Sequence, residues 1–459
     1  MRVLIISHEP IGPRMAGPAI RCWELARVLG REFQVTLAAP IAGQPERIEV
    51  NLLPYRHNDP SSRAELEAFA TTQADVVVSN GYLVTQLPFL QDLAVPWVAD
   101  LYIPTPVESL AWHQEADSER RDEEAHHAWR ATRRVAQTAD WFLCASERQR
   151  DFWLGVLAAY GRLDPTLYAE DPSLGNLIEV VPFGCPSEPP EAGPAAASLW
   201  PGLDPGDRVL LWGGGVWNWF DPLTLLRAMP AVLARHPEAR LVFLGSNHPA
   251  AEQVPEMARA REARALSQEL GLEGKAVVWG DWVPYAERGA YLLAAEVAVS
   301  LHQAGIENDL AFRTRLLDAI WAALPVVSTG GDVVTEELAQ AGVGITVQPG
   351  AADEVAHAIS SLLDEPDPRG ARRTQFEELA ARYRWDRVAE PLVHFCRDPR
   401  RDPARERATR FLAAEAGAER EALEREVSRL ESLVHGYESG RLMRLLASLH
   451  RVRRRLEGR

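Results

Sequence analysis

The stretch Glu307–Asp332, ENDLAFRTRLLDAIWAALPVVSTGGD, carries the densest potential chemistry in the chain. It reads as loop, amphipathic helix, buried strand and Gly-Gly turn. Arg313 and Arg315 fall in the first turns of the helix, where free N–H groups and the helix dipole already favour anions. Guanidinium groups placed there suit a phosphate or pyrophosphate. Asp318, three residues past Arg315 and on the same side of the helix, can accept hydrogen bonds from a ribose diol.

A second candidate is Leu210–Pro222, LLWGGGVWNWFDP. A buried strand runs into Gly213, Gly214 and Gly215, and a helix follows at Pro222. Glycines in that place let backbone N–H groups approach a pyrophosphate, with Trp217, Asn218 and Trp219 alongside. Gly245, following the strand Arg240–Leu244, is grouped with the same candidate phosphate site. A third is the loop His8–Ala19, shaped by Gly12, Pro13, Gly17 and Pro18 and ending at a helix N-terminus. Its Arg14, and Arg21 in the helix, are available to an anionic group. Asp100 closes the strand WVAD, a position that faces the cleft in a doubly wound domain. His113, His126 and His127 have no metal-ligand spacing and read as a solvated helix face, so no metal is expected.

The elements that would position these residues alternate strand and helix. Strands are expected at Val3–Ser7, Gln34–Ala39, Asp75–Ser79, Trp97–Asp100, Trp141–Cys144 and Ile178–Val181, with a long polar helix over Val107–Ala139. A Pro-, Gly- and Ala-rich stretch then precedes a second series at Val209–Trp212, Arg240–Leu244, Ala276–Trp279, Val297–Leu301, Pro325–Ser328 and Gly344–Val347. This pattern predicts an α/β protein with two Rossmann-like, doubly wound domains facing a cleft. The boundaries read as a first domain over 1–185, a linker over 186–207, a second domain over 208–375, a helix over 376–398 and a charged helical tail over 399–459. In the tail, Leu423, Val427, Leu430 and Val434 form a short heptad seam suited to a coiled-coil homodimer. Residues 441–459 read as an Arg-rich amphipathic helix suited to peripheral contact with anionic lipid.

Composition narrows the classes. The 459 residues carry a net charge of −16, against general nucleic-acid binding. The chain reads directly into the strand VLIIS, so no leader is expected, and no run approaches the roughly 18 apolar residues of a membrane span. Cys22, Cys144, Cys185 and Cys396 form no CxxC and read as buried thiols of a cytoplasmic protein, peripheral at the inner membrane face if the tail binds lipid. Lys275 is the only lysine, so any side-chain cation on a phosphate is expected to be Arg.

The segments 208–230 and 296–332, with the glycine-containing loop after the first strand and the Val-Val-Pro-Phe-Gly run at 180–184, resemble retaining glycosyltransferases of family 4 (glycosyl transferases group 1), which have the GT-B fold. The resemblance spans roughly residues 1–397. It implies transfer of a sugar from a nucleoside-diphosphate sugar to an acceptor hydroxyl with retention, without a metal or other cofactor, on a polysaccharide or lipid-linked acceptor. Tyr383–Asp386 would open the helix that crosses back onto the first domain. The family's Arg and Lys after the first strand of the second domain are missing, with Gly214 and Gly215 near the Arg position. That absence makes Arg313 the expected phosphate clamp, with Arg315 on phosphate or paired with Asp318. The family also has two acids eight positions apart. Asp318 matches the second by its distance to Pro325. Leu310 stands at the first, so Glu307 or Asp309 takes that role near the transferred sugar, as would Asp100. The missing cations equally fit a degenerate GT-B protein that binds a sugar nucleotide or scaffolds a partner without turnover. A nicotinamide-dependent oxidoreductase is disfavoured, since the first glycine turn is not GxGxxG.

Overall fold

The structure is a computed structural model that describes residues 1–43, 50–245, 248, 249, 254 and 256–439. Two parallel sheets dominate residues 1–402, which form one compact body. The first contains β1 (Arg2–Ile6), β2 (Gln34–Ala39), β3 (Asn51–Pro54), β4 (Val76–Asn80), β5 (Trp97–Asp100), β6 (Trp141–Cys144) and β7 (Ile178–Val180), in the order β3-β2-β1-β4-β5-β6-β7. The second contains β8 (Arg208–Gly213), β9 (Ala239–Leu244), β10 (Val277–Gly280), β11 (Val297–Ser300), β12 (Val326–Thr329) and β13 (Gly344–Val347), in the order β10-β9-β8-β11-β12-β13. Their central strands are continuous apolar runs because helices cover both faces. β3 was not expected from the sequence. It is a short edge strand, mostly exposed, and lacks the apolar run that marks its neighbours.

In each sheet the strand order reverses once, between β1 and β4 and between β8 and β11. Loops that leave the carboxyl ends of such strands diverge to opposite faces and open a crevice between them. The loops after β1 and β8 are those that the glycine pattern singled out.

Local signals explain most helix limits. Pro18 opens Gly17–Leu29, and the Asp59, Ser146 and Asp221 side chains cap Pro60–Gln73, Glu147–Ala159 and Pro222–Arg235. The long helix expected over Val107–Ala139 is two, Thr105–Trp112 and Ser118–Thr138. The Asp117 side chain accepts from Arg120 N at 2.8 Å and restarts the helix there. The amphipathic helix expected within Glu307–Asp332 begins at Thr314, with a separate short turn over Ile306–Leu310. Within 186–207 the chain is not bare linker: it forms Ala196–Leu199 and buries Trp200 and Leu203.

Past the second sheet the chain returns to the first. Cys185 N donates to Tyr383 O at 2.7 Å, and Trp385 N donates to Cys185 O at 3.1 Å. Phe395 stacks on Trp141 with centroids 4.4 Å apart. Residues 403–459 form a second unit. Its described part is the helix Pro403–Ser439, on which Leu423, Val427, Leu430 and Val434 are exposed. The Arg-rich segment 441–459 lies outside the described residues. No described helix is long and apolar enough to cross a membrane.

Arg21 and Asp100 act in the fold, away from the roles expected for them. Arg21 Nε and Nη2 donate to the Asp100 carboxylate at 2.5 and 3.0 Å, and its remaining N–H groups reach Pro182 O and Val181 O. Both side chains are almost fully buried. The pair ties the first helix to the ends of β5 and β7. Asp100→Ala would strand a buried guanidinium, so it should destabilise the protein by roughly 3–5 kcal/mol in chemical denaturation. A loss below about 1 kcal/mol, the range of exposed pairs, would contradict this assignment.

Candidate active site

A cavity of about 850 Å³ lies between the carboxyl ends of the two sheets, lined by the loops that leave both switch points. The second domain holds the first domain's loop in place: Trp282 Nε1 donates to Met15 O at 3.1 Å and Tyr285 N to Pro13 O at 2.8 Å. Gln149 joins the walls from the other side, donating to Tyr102 O at 2.9 Å and Leu310 O at 2.8 Å.

On the second-domain wall, Gly213, Gly214, Gly215 and Gly245 all line the cavity. Gly214 and Gly245 have φ of +80° and +93°. A Cβ on Gly245 would lie 3.3 Å from the Gly214 backbone. Only glycine permits both the left-handed turn and this close approach of two loops. Trp217 lines the cavity as well, stacked on Trp219 at 5.8 Å and tilted against Trp112. Asn218 does not line it. Its Nδ2 donates to Trp112 O at 2.9 Å and its carbonyl accepts from Gln303 at 2.8 Å, which makes it a strut between the domains.

The two arginines have different environments. Arg313 is buried and its guanidinium is committed: Nε donates to Asp332 at 2.8 Å, and the other nitrogens reach His302 and Asn308. The clamp role expected for it therefore meets a side chain already saturated by protein partners. Arg315 lines the cavity, yet it has no carboxylate partner among the described residues. Its Nη2 donates to Gly215 O at 3.0 Å, its Nη1 has no partner, and its Cζ lies 4.0 Å from the Phe220 ring centroid. Burial, with the Arg313 charge adding, pushes the guanidinium down to about 9, still charged at neutral pH.

Asp318 lines the cavity with its carboxylate partly exposed and accepts from Arg288 Nε at 3.1 Å. Of the two candidate first acids, Glu307 lines the cavity, whereas Asp309 is exposed outside it. Burial raises the Glu307 carboxyl to about 7, with the Arg313 charge opposing and Asp332 adding to the shift. His302, unnoticed in the sequence, is held neutral by burial and by the two arginines.

On the first-domain wall, Gly17 lines the cavity. Gly12 does not: a Cβ there would fall 1.9 Å from Ala42 O, so this glycine serves the packing of two loops. Arg14 is exposed outside the cavity, and Arg21 and Asp100 are consumed by each other. Glu9, Glu108 and Trp112 join the site without having been singled out. Glu9 had a signal, its place directly after β1. Glu108 was concealed in what read as one long polar helix. No group of three or more His, Cys, Asp or Glu among the described residues is placed to hold a metal ion.

Residues 207–365 match the family model described as Glycosyl transferases group 1. Over 229 residues, 49% of the chain, the sequence is 27% identical to a D-inositol 3-phosphate glycosyltransferase of Segniliparus rotundus and 25% identical to one of Rhodococcus jostii. The matched region spans about half the length of these relatives, 47% and 48%. Sucrose-phosphate synthase from Thermosynechococcus elongatus superposes with a TM-score of 0.62 at 16% identity, covering 86% of this chain and 98% of that one. HepE of Anabaena, solved with UDP and glucose, superposes at 0.64 and 12% identity, covering 87% and 100%. The chain thus has the GT-B fold, and its second domain carries the sequence signature of the glycosyl transferases group 1 family.

Proposed function

We propose that the protein is a glycosyltransferase that moves a sugar from a nucleoside-diphosphate sugar to an acceptor hydroxyl with retention at the anomeric carbon. The observation that carries this reading is Arg315, a cation lining the cavity beside the Gly213–Gly215 turn with no carboxylate partner among the described residues and an unpartnered Nη1. A desolvated cation without a counter-charge is costly, and a diphosphate supplies that charge at the place where glycine backbone can also approach it. The UDP seen with HepE makes uridine diphosphate the first nucleotide to test.

In this reading Arg315 and the glycine turn hold the diphosphate, Asp318 accepts from the ribose, and Glu307 faces the transferred sugar. The anomeric carbon–phosphate oxygen bond breaks as the acceptor oxygen bonds the same face, and the acceptor proton passes to the departing phosphate. Catalysis then rests on positioning and on stabilising the leaving diphosphate. Retention is supported by the family resemblance. The acceptor as a glycan or lipid-linked glycan, dimerisation or membrane contact through residues 401–459, a cytoplasmic location and independence of any metal belong to the same proposal.

The two arginines should separate when mutated. Arg315→Ala should weaken UDP binding and lower the rate of nucleoside diphosphate release about 10²–10³-fold, the loss typical of one preorganised donor. Its melting temperature should hold or rise, since an uncompensated charge is removed. Arg313→Ala should instead lower stability by roughly 3–5 kcal/mol by stranding buried Asp332. Full activity in a folded Arg315→Ala protein would overturn the clamp assignment.

The pH profile tests Glu307. A carboxyl raised to about 7 is protonated below neutrality and ionises as pH rises through that value. If the ionised form accepts a sugar hydroxyl, kcat/KM should climb through about pH 7, and that limb should vanish in Glu307→Gln. The same sign governs stability. The folded state holds the proton more tightly than the unfolded chain, so this carboxyl's contribution is complete below about 4.5 and lost as pH rises through about 7. A flat wild-type profile between pH 5.5 and 8.5, an interval about 1.5 units to either side of that carboxyl, would contradict the role.

A further inference from the structure

The donor reading accounts for the second-domain wall and leaves the first-domain wall without a ligand. Glu9, after β1, and Glu108, in the first turn of Thr105–Trp112, both line the cavity there. Neither carboxylate has a hydrogen bond or ion pair among the described residues. Burial raises Glu9 to about 7, and burial with the Glu307 and Glu9 charges raises Glu108 to about 8.

Tyr102 supplies an independent observation. It lines the same wall, is only 9% exposed, and its hydroxyl has no partner. The ring is fixed edge-on to Phe183 at 5.0 Å and lies under the Arg21 guanidinium, so the hydroxyl has little freedom to find another partner. A buried hydroxyl left in this state points to a ligand group that completes it.

The distribution of cations selects the ligand's chemistry. Arg288, Arg313 and Arg315 all lie on the second-domain wall, and no Lys or Arg of the first domain lines the cavity among the described residues. His8 on that wall is pushed down to about 4 by burial and adds no positive charge. Among the described residues that wall thus offers a phosphorylated acceptor no guanidinium or lysine ammonium. Glu9, Glu108 and their neighbours are not placed to hold a metal ion among the described residues. Neutral hydroxyls leave the two carboxyls in the protonated state that burial favours, whereas an ammonium group draws them into the ionised form and supplies the counter-charge that no described Lys or Arg on this wall provides.

Resting on the glycosyltransferase reading, we propose that the acceptor subsite takes a sugar or polyol bearing a primary amino group, its ammonium held by Glu9 and Glu108 beside the Tyr102 hydroxyl. The donor side is untouched by this choice.

Binding to the full-length protein separates this inference from the donor reading. Glucosamine, N-acetylglucosamine and glucose 6-phosphate would each be titrated at pH 7, and UDP separately, with tryptophan fluorescence from Trp112 and Trp217 as the readout. Glucosamine should bind at least about tenfold more tightly than either other sugar, a difference of about 1.4 kcal/mol. Glu108→Gln, which keeps the shape and removes the charge, should bring that ratio to near one while the UDP affinity stays the same. Equal affinities for glucosamine and N-acetylglucosamine, tighter binding of glucose 6-phosphate, no saturable glucosamine binding, or a preference unchanged in both Glu108→Gln and Glu9→Gln would overturn the amine subsite. Failure of UDP and of the other common nucleoside diphosphates to bind would remove the donor reading and leave a selective amine site standing.

Discussion

The buried Arg313–Asp332 pair is the interaction on which the geometry of the site depends. Asp332 accepts from Val334 N and Thr335 N and so caps Val333–Gln340, while its other oxygen takes Arg313 Nε at 2.8 Å. Arg313 extends to His302 after β11 and to Asn308, whose Nδ2 donates to Gly330 O at 2.8 Å after β12. One network therefore fixes the ends of two adjacent strands and the starts of two helices. Glu307 and Arg315, each two residues or fewer from a member of it, inherit their positions. Because desolvating this pair is expensive, it adds little net stability, and its value is in the single arrangement it enforces.

With Arg313 neutralised, the cavity divides electrostatically. The second-domain wall keeps an excess cation at Arg315 beside a glycine turn. The first-domain wall keeps the carboxyl groups of Glu9 and Glu108, without an ion pair among the described residues. A single fold thus offers an anion site and a site for hydrogen-bond donors or cations across one crevice, held together by contacts such as Trp282 to Met15. That polarity suits two substrates of different character meeting at their reacting ends.

Much of the architecture was legible because burial writes itself plainly into sequence. Val3–Ser7 and Val297–Leu301 are mostly apolar runs with few alternatives to a buried parallel strand, and the switch-point loops followed from them. The glycine turn at Gly213–Gly215 was readable for the same reason: its position is set by the strand before it. Partnership between distant residues was not legible. Arg21 and Asp100 are 79 positions apart, and each alone resembles a free site residue. Arg313 likewise looks available until Asp332 is brought to it, and Asn218 looks like a ligand until Trp112 O meets its amide. Charge compensation is a property of the folded neighbourhood, so local spacing assigns the right residue types while leaving open which of two arginines is spare. The split at Asp117 shows the complementary limit, in which one cap residue outweighs a continuous polar pattern.

The central claim is that the second-domain wall is a diphosphate site built around an uncompensated arginine. Calorimetric titration of the wild-type protein with a nucleoside, its monophosphate and its diphosphate, across the common bases, tests it most directly. For at least one base, affinity should rise by about 100-fold or more from nucleoside to diphosphate, roughly 2.7 kcal/mol supplied by the phosphates. Affinity independent of phosphate number, or no binding by any diphosphate, would contradict the account.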